Sequence, residues 1–423
     1  MSLGTIISKN RDNLFSLGAT VARAFSRFLL VFLASLLLTK YEFGLFNIFL
    51  SIYFFSRLFS ENSLNLPFIK FASDGANPPA LVNWQVILLK LGYVLAVSLV
   101  LLALSGPIVT LTGLERREIL LLLPLTLLAL TSYMFVAQVL TARIRMRLLF
   151  VFELLNCLVF ILVMAAAYGI VTSFTTEYLV LIFTVAMAGS AAAGILVFRR
   201  FMTVTPRLDP PLLGEIARYS TYTVLSGISS VVILRADVLM LGYFLTPREV
   251  AVYGMAVFVN EAVQVIFDSV LRVCLPRASA LSGQGDGEQL VTLFRQSVKN
   301  IYIGIVPVVA VIAVAAPTVI HLVYQGKYDD SLPLVYLFLA SSAVKPVGYV
   351  AGIILGATGN IRLDNRNCWI AAVLNIVCNL LLIPRFGVMG AATASILSFI
   401  ALSVLHYHAV RKAVFNRKAE DTA

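Results

Sequence analysis

The 423 residues are 60% hydrophobic and 13% charged, and Lys and Arg exceed Asp and Glu by 11. A soluble domain carries about twice that charged fraction, and a mean hydropathy of +0.94 excludes one here. Runs of roughly 20 apolar residues, enough to cross a bilayer, recur along the chain, so the basic excess is read against a membrane and no nucleic-acid partner is expected.

In chain order the hydropathy pattern predicts twelve spans, near 14–38, 43–66, 82–105, 119–142, 149–170, 178–198, 219–243, 250–275, 299–325, 332–356, 367–384 and 387–410. The expected fold class is an all-α, multi-pass membrane protein. The first span carries Arg23 and Arg27 and is too long for a cleaved signal sequence. With the N-terminus in the cytoplasm, inward segments hold 19 of the 32 Lys and Arg residues and outward segments hold 6, as the positive-inside rule requires. Both termini are therefore expected in the cytoplasm. Cys157, Cys274, Cys368 and Cys378 fall in or near spans without CxxC spacing. They read as small buried hydrophobes, implying neither a disulfide nor a metal. His321, His406 and His408 read as end-of-helix residues without a catalytic role.

The basic stretch RRFMTVTPRLDPPLLGEIAR, 199–218, interrupts the pattern midway. It reads as a cytoplasmic linker between a six-helix bundle over 1–198 and a second bundle with its tail over 219–423. Sliding the first half onto the second by 207 residues sets Thr39 on Thr246, Glu42 on Glu249, Phe46 on Tyr253, Glu61 on Asp268 and Lys70 on Arg277. Six spans per half make this a parallel repeat about an axis along the membrane normal. Two such bundles facing a central cavity suit alternating access.

A charge within the bilayer is expensive, so it faces protein or water rather than lipid. Along the eighth span Glu261, Gln264, Asp268 and Arg272 step by 3, 4 and 4 and share one face. Asn47, Ser51, Phe54, Arg57, Glu61 and Asn65 form a similar line on the second span. The first gives Ser16, Thr20, Arg23 and Arg27, and the seventh gives Thr223, Ser226, Ser230 and Asp237. Together these faces would wall a water-filled, net basic cavity. Arg57–Glu61 and Asp268–Arg272 are i,i+4 pairs that restrain each other. Arg23 and Arg27, one turn apart with no acid on their own helix, call for an anion. Arg235 and Asp237 project about 200° apart on a regular helix, so one of them turns into its own bundle unless the helix breaks. Glu153 and Lys90 are expected near the cytoplasmic surface, interfacial or snorkelling. Lys345, before Pro346, reads either as a kink-stabilising contact or as a cavity ligand.

Three tracts resemble a known family. YEFGLFNIFLSIYFFSRLFSENSLNLPFIKF (41–71) is similar to the first-repeat signature of polysaccharide flippases in the multidrug/oligosaccharidyl-lipid/polysaccharide exporter superfamily. The tract 235–281, with Asp237, Tyr253, Pro276 and Ser279, is similar to their seventh and eighth spans, and IPRFGVMGAATA within 354–398 is their most distinctive piece. The nearest branch is the Wzx-type O-antigen and exopolysaccharide flippases, and their lipid II relatives usually carry two further helices. The resemblance implies transfer of a polyprenyl-diphosphate-linked glycan from the inner to the outer leaflet of a bacterial plasma membrane, without a cofactor and without enzymatic chemistry. The family's cavity cations carry over onto Arg23, Arg27, Arg57 and Arg272, with Arg235 and Lys345 as further candidates for the diphosphate.

Arginine suits that group because its fork bonds phosphate oxygens in pairs and stays charged. Moving an anion outward gains about 2.3 kcal/mol per charge per 100 mV of inside-negative potential, which could drive the cycle. Coupling to H+ or Na+ through Glu61, Asp237, Glu261 or Asp268 is the other route. The rivals are a cation-coupled drug exporter of the same fold, which favours an acidic or aromatic cavity, and a membrane glycan polymerase or ligase, which needs a sizeable outward loop. A polymerase as partner is left open.

Overall fold

The computed structural model describes residues 3–58, 63–73, 76–284 and 287–415, with the side chains of 3–13, 222, 225, 226, 265, 268 and 415 outside the description. All regular structure among them is helical. Eight helices are long and apolar enough to cross a membrane, or up to ten if each of two bent pairs forms one span. The difference from the expected twelve arises at two places. Residues 59–62 of the second predicted span lie outside the described residues, and its two described parts, α2 (Lys40–Arg57) and α3 (Ser63–Ser73), are not counted as a span. The last two predicted spans run together as α15 (Ile361–Val410), which turns at Gly387 with φ 57° and ψ −136°. Only glycine adopts that conformation without steric penalty, and Pro384 one turn earlier removes a helix donor.

The chain divides into two compact units, Met1–Ile228 and Ser229–Ala423. The first contains α1 (Leu3–Leu37), α2, α3, α4 (Pro79–Ala103), α5 (Ser105–Thr112), α6 (Arg117–Leu121), α7 (Leu123–Ala142), α8 (Met146–Ile170) and α9 (Thr176–Val197). It also holds the start of α10 (Pro210–Phe244). Pro79 and Pro124 stand in the first turns of α4 and α7, where a missing N–H leaves no bond unmade. Leu64, Phe68, Val82, Val139 and Ile216 form a core joining α3, α4, α7 and α10. The stretch expected as a linker is strapped to α4: Asn83 donates to the Thr203 carbonyl at 2.8 Å and Gln85 to that of Arg207 at 2.7 Å.

At one end of this unit Thr39 caps α2, accepting from the Glu42 amide at 3.2 Å. The Glu42 carboxylate accepts from Arg116 and from the amide and hydroxyl of Thr176, at 2.8 and 2.6 Å. Arg116 also reaches Glu177 at 2.8 Å. Burial opposes the charge on Glu42, but the Thr176 donors and the Arg116 guanidinium outweigh it and hold the carboxyl below its usual range.

The second unit contains the rest of α10, then α11 (Pro247–Gly283), α12 (Gly287–Tyr324), α13 (Leu332–Ser341), α14 (Lys345–Ala357) and α15. A reciprocal capping box between Thr246 and Glu249 starts α11. Thr39–Glu42 and Thr246–Glu249 thus both open helices, which gives those two matches of the internal alignment a local cause. Between α13 and α14 the path bends by 49°. Ile233, Ala371, Ala372 and Leu402 form a small core where α10 meets both arms of α15.

Candidate functional site

In the N-terminal unit, α1, α7 and α8 bring Arg23, Tyr133 and Glu153 together. Arg23 donates from Nε to Glu153 Oε1 at 2.8 Å and from Nη2 to the same oxygen, while the Tyr133 hydroxyl donates to Oε2. Glu153 is fully enclosed, whereas the Arg23 side chain is 34% exposed. The anion that Arg23 calls for is therefore partly supplied by the protein. The expectation of a snorkelling Glu153 is corrected: it is enclosed within the protein, and three donors replace its water. Lys90 is likewise buried at 1% exposure rather than snorkelling.

The open side of Arg23 faces a cavity of about 160 Å³ whose polar lining includes Ser16, Thr20, Asn65, Gln138 and Thr141. Three members of the first-span stripe thus line one space. Arg27, one turn on, is exposed. The stripe on α2 behaves differently. Asn47 and Ser51 are buried and donate to carbonyls of their own helix, Phe43 at 2.7 Å and Asn47 at 3.0 Å. Asn47, expected to line a cavity, instead spends its amide on a turn of α2. Arg57 places its guanidinium 5.4 Å from the Phe54 ring centre. Glu61, its expected partner, lies outside the described residues.

In the C-terminal unit, Asp237 of α10 is buried at 4% exposure. Its carboxylate accepts from the Tyr253 hydroxyl of α11, from Ser395 of α15 at 3.1 Å and from the Val238 amide at 2.8 Å. Among the described residues no Lys, Arg or His pairs with it. Arg235 turns the other way and donates to Glu261 at 3.2 Å. The 200° separation is thus resolved with Asp237 facing its own bundle. Gln264 is half-buried and Arg272 exposed; the side chain of Asp268 lies outside the described residues. Lys345 opens α14 just after the bend, is 95% buried, and sits 4.7 Å from the Phe399 ring centre. No carboxylate among the described residues pairs with it.

Reading by stripes missed the hydroxyls of Tyr133 and Ser395. It also missed Asn367, Asn375 and Asn379, all fully buried on the first arm of α15. Asn379 donates to Asn375 at 3.0 Å, while Asn375 Nδ2 and Asn379 Oδ1 have no partner among the described residues. Their spacing of eight and four along an apolar helix is a signal that a search restricted to charges passes over.

The family model described as polysaccharide biosynthesis protein matches residues 33–333. The "Probable low-salt glycan biosynthesis flippase Agl15" of Haloferax volcanii is 27% identical over 190 residues, 45% of this chain and 40% of that protein. The chain thus spans less than half the length of that relative. The fold is shared with two solved structures. One is "Lipid II flippase MurJ, inward closed conformation", at TM-score 0.75 and 13% identity, covering 94% of this chain and 87% of the other. The second is an inward-facing multidrug resistance MATE family transporter of the MOP superfamily, at TM-score 0.75 and 15% identity, covering 96% of each chain. Identities this low establish the architecture and leave the cargo to the site.

Proposed function

We propose that this chain, which belongs to the polysaccharide biosynthesis protein family, flips a polyprenyl-diphosphate-linked oligosaccharide across a plasma membrane. The observation that carries the reading is Arg23, partly exposed at the wall of a polar cavity and held from behind by Glu153 and Tyr133. Glu153 takes Nε and Nη2, and in this reading Nη1 is the donor that meets a phosphate oxygen. The cavity has room for an anionic group but not for a glycan, which in this reading travels outside it with its lipid tail in the bilayer. Arg27, Arg57, Arg272, Arg235 and Lys345 are the further cations proposed for the diphosphate.

Asp237 is the proposed coupling site for H+ or Na+. It is a buried acid with hydroxyl and amide donors and no salt bridge among the described residues, and an added cation would offset the cost of burying its charge. Glu261, already engaged by Arg235, is the weaker candidate, and Glu61 and Asp268 complete the proposed set. Membrane potential acting on the anion is the alternative drive. Twelve spans, counting α2–α3 as one and α15 as two, a parallel repeat, cytoplasmic termini and a polymerase partner belong to the same proposal. The archaeal relative means the family is not confined to bacterial inner membranes.

A cation-coupled drug exporter is the second reading, favoured by the equal structural likeness to a MATE transporter and by Asp237. Proteoliposomes carrying a fluorescent polyprenyl-diphosphate oligosaccharide separate the two. Flipping by the native protein that is lost in Arg23→Ala/Arg27→Ala supports the diphosphate reading. Transport of cationic dyes, with no lipid flipping under an imposed potential or ion gradient, favours the exporter.

A further inference from the structure

Asp364 and Cys368 lie four residues apart on the first turns of α15, so both side chains project from one helix face. His406, near the end of the returning arm, meets them there. Its Nε2 is 3.2 Å from Asp364 Oδ1 and 3.9 Å from Cys368 Sγ, and one ligand atom from each residue lies within 4.8 Å of the others. Tetrahedral Zn2+, with bonds of about 2.0–2.3 Å, separates its ligand atoms by about 3.3–3.7 Å, so the triangle closes with small side-chain adjustments.

The other ring nitrogen decides the chemistry. His406 Nδ1 lies 3.1 Å from the Gly348 carbonyl, which can only accept, so Nδ1 carries the hydrogen. In the neutral ring Nε2 then presents a lone pair to a carboxylate oxygen, an arrangement that calls for a positive centre between them. A backbone carbonyl orienting the remote nitrogen is also the usual outer support of a metal-binding histidine. The close approach of α14 depends on Gly352, where a Cβ would stand 3.1 Å from both Asp364 Oδ1 and His406 Cε1. His406 is buried, and Asp364 keeps 21% of its side chain exposed, which provides an entry path.

We propose that Asp364, Cys368 and His406 form a three-ligand site for a divalent transition metal of the Zn2+ class, with a fourth position open to water. The mixed carboxylate, thiolate and imidazole set suits Zn2+ and disfavours Mg2+ or Ca2+. Binding releases the Cys368 thiol proton to solvent as the sulfur–metal bond forms. The metal would bolt the open ends of the two α15 arms together, opposite the turn at Gly387. The site is distinct from the acid proposed for ion coupling.

The test uses the full-length protein, purified in detergent, stripped with chelator and titrated with Zn2+. About one Zn2+ per chain is expected, with a saturable rise in melting temperature. Co2+ should give a thiolate charge-transfer band. Cys368→Ser and His406→Gln should each remove the band and the thermal shift. Because a variant can fail to fold, the native chain is also alkylated: Zn2+ should protect Cys368 selectively, with Cys157, Cys274 and Cys378 as internal references. Absence of saturable binding, or protection spread equally over the four cysteines, would leave a proton shared by His406 and Asp364 and overturn the metal site. So would Zn2+ binding that survives both substitutions.

Discussion

Glu153 in the N-terminal unit and Asp237 in the C-terminal unit both sit within helices, both are withdrawn from water, and both accept a tyrosine hydroxyl. They differ in what completes the shell. Glu153 also accepts two donors from Arg23, whereas Asp237 has a serine hydroxyl and the next backbone amide. A carboxylate bonded to a guanidinium is neutralised in place and fixes the direction of its partner. One held by hydroxyls and a backbone amide, with no salt bridge among the described residues, has less to offset the cost of burying a charge. In the proposal above the first is therefore a positioning group for Arg23, and the second is a receptor for a mobile cation.

Breaking the first arrangement should have the largest effect. Glu153→Ala strands a half-buried Arg23 and is expected to lower stability by about 2–4 kcal/mol, read as a fall in melting temperature in detergent. An unchanged melting temperature would mean that the pair holds nothing. The tyrosines sharpen the contrast. Tyr253→Phe removes a hydrogen bond to a charged group and should cost about 1.5–3 kcal/mol. Tyr133→Phe should cost less, because Arg23 still bonds Glu153; equal losses would show that the guanidinium does not share the load.

Glu42 offers a reference carboxylate at the end of its helix. Its folded pKa is depressed, so the clasp's contribution is complete above the ordinary carboxylate value. It is lost as pH falls from there through the folded value. Glu42→Gln should remove that acid-dependent part, about 1 kcal/mol, and leave melting curves at pH 4 and pH 7 closer together. The smallest stability change is expected for Asp237→Asn, under about 1 kcal/mol, since a neutral isostere replaces a buried carboxyl that has no salt bridge among the described residues. The same variant should lose any Na+ or pH dependence of transport. A large loss of stability, with ion dependence intact, would place Asp237 in the same class as Glu153.

Helical periodicity carried part of this site. Ser16, Thr20 and Arg23 do line one cavity, because an i,i+4 stripe on a helix is a property of the chain alone. The same reasoning placed Asn47 on a cavity wall, yet its amide bonds a carbonyl one turn back, an option that no stripe can distinguish. Geometry on α10 required Arg235 and Asp237 to diverge, but which one turned inward depended on Tyr253 and Ser395, distant in sequence. Glu153 was misjudged because depth from a predicted helix end does not reveal that Arg23, 130 residues earlier, awaits it.

Hydropathy, charge asymmetry and family motifs, all local and additive along the chain, determined by themselves that this is a helical membrane protein of the polysaccharide biosynthesis family. Helix starts were set equally locally, by Thr39, Thr246 and the prolines that follow helix caps. Tertiary structure decided which charges are satisfied from within and which are left over. Pairings such as Arg23 with Glu153, Asp237 with Ser395 or His406 with Asp364 form only when separate helices pack. In a low-dielectric interior a few tenths of a nanometre decide whether a charge is compensated.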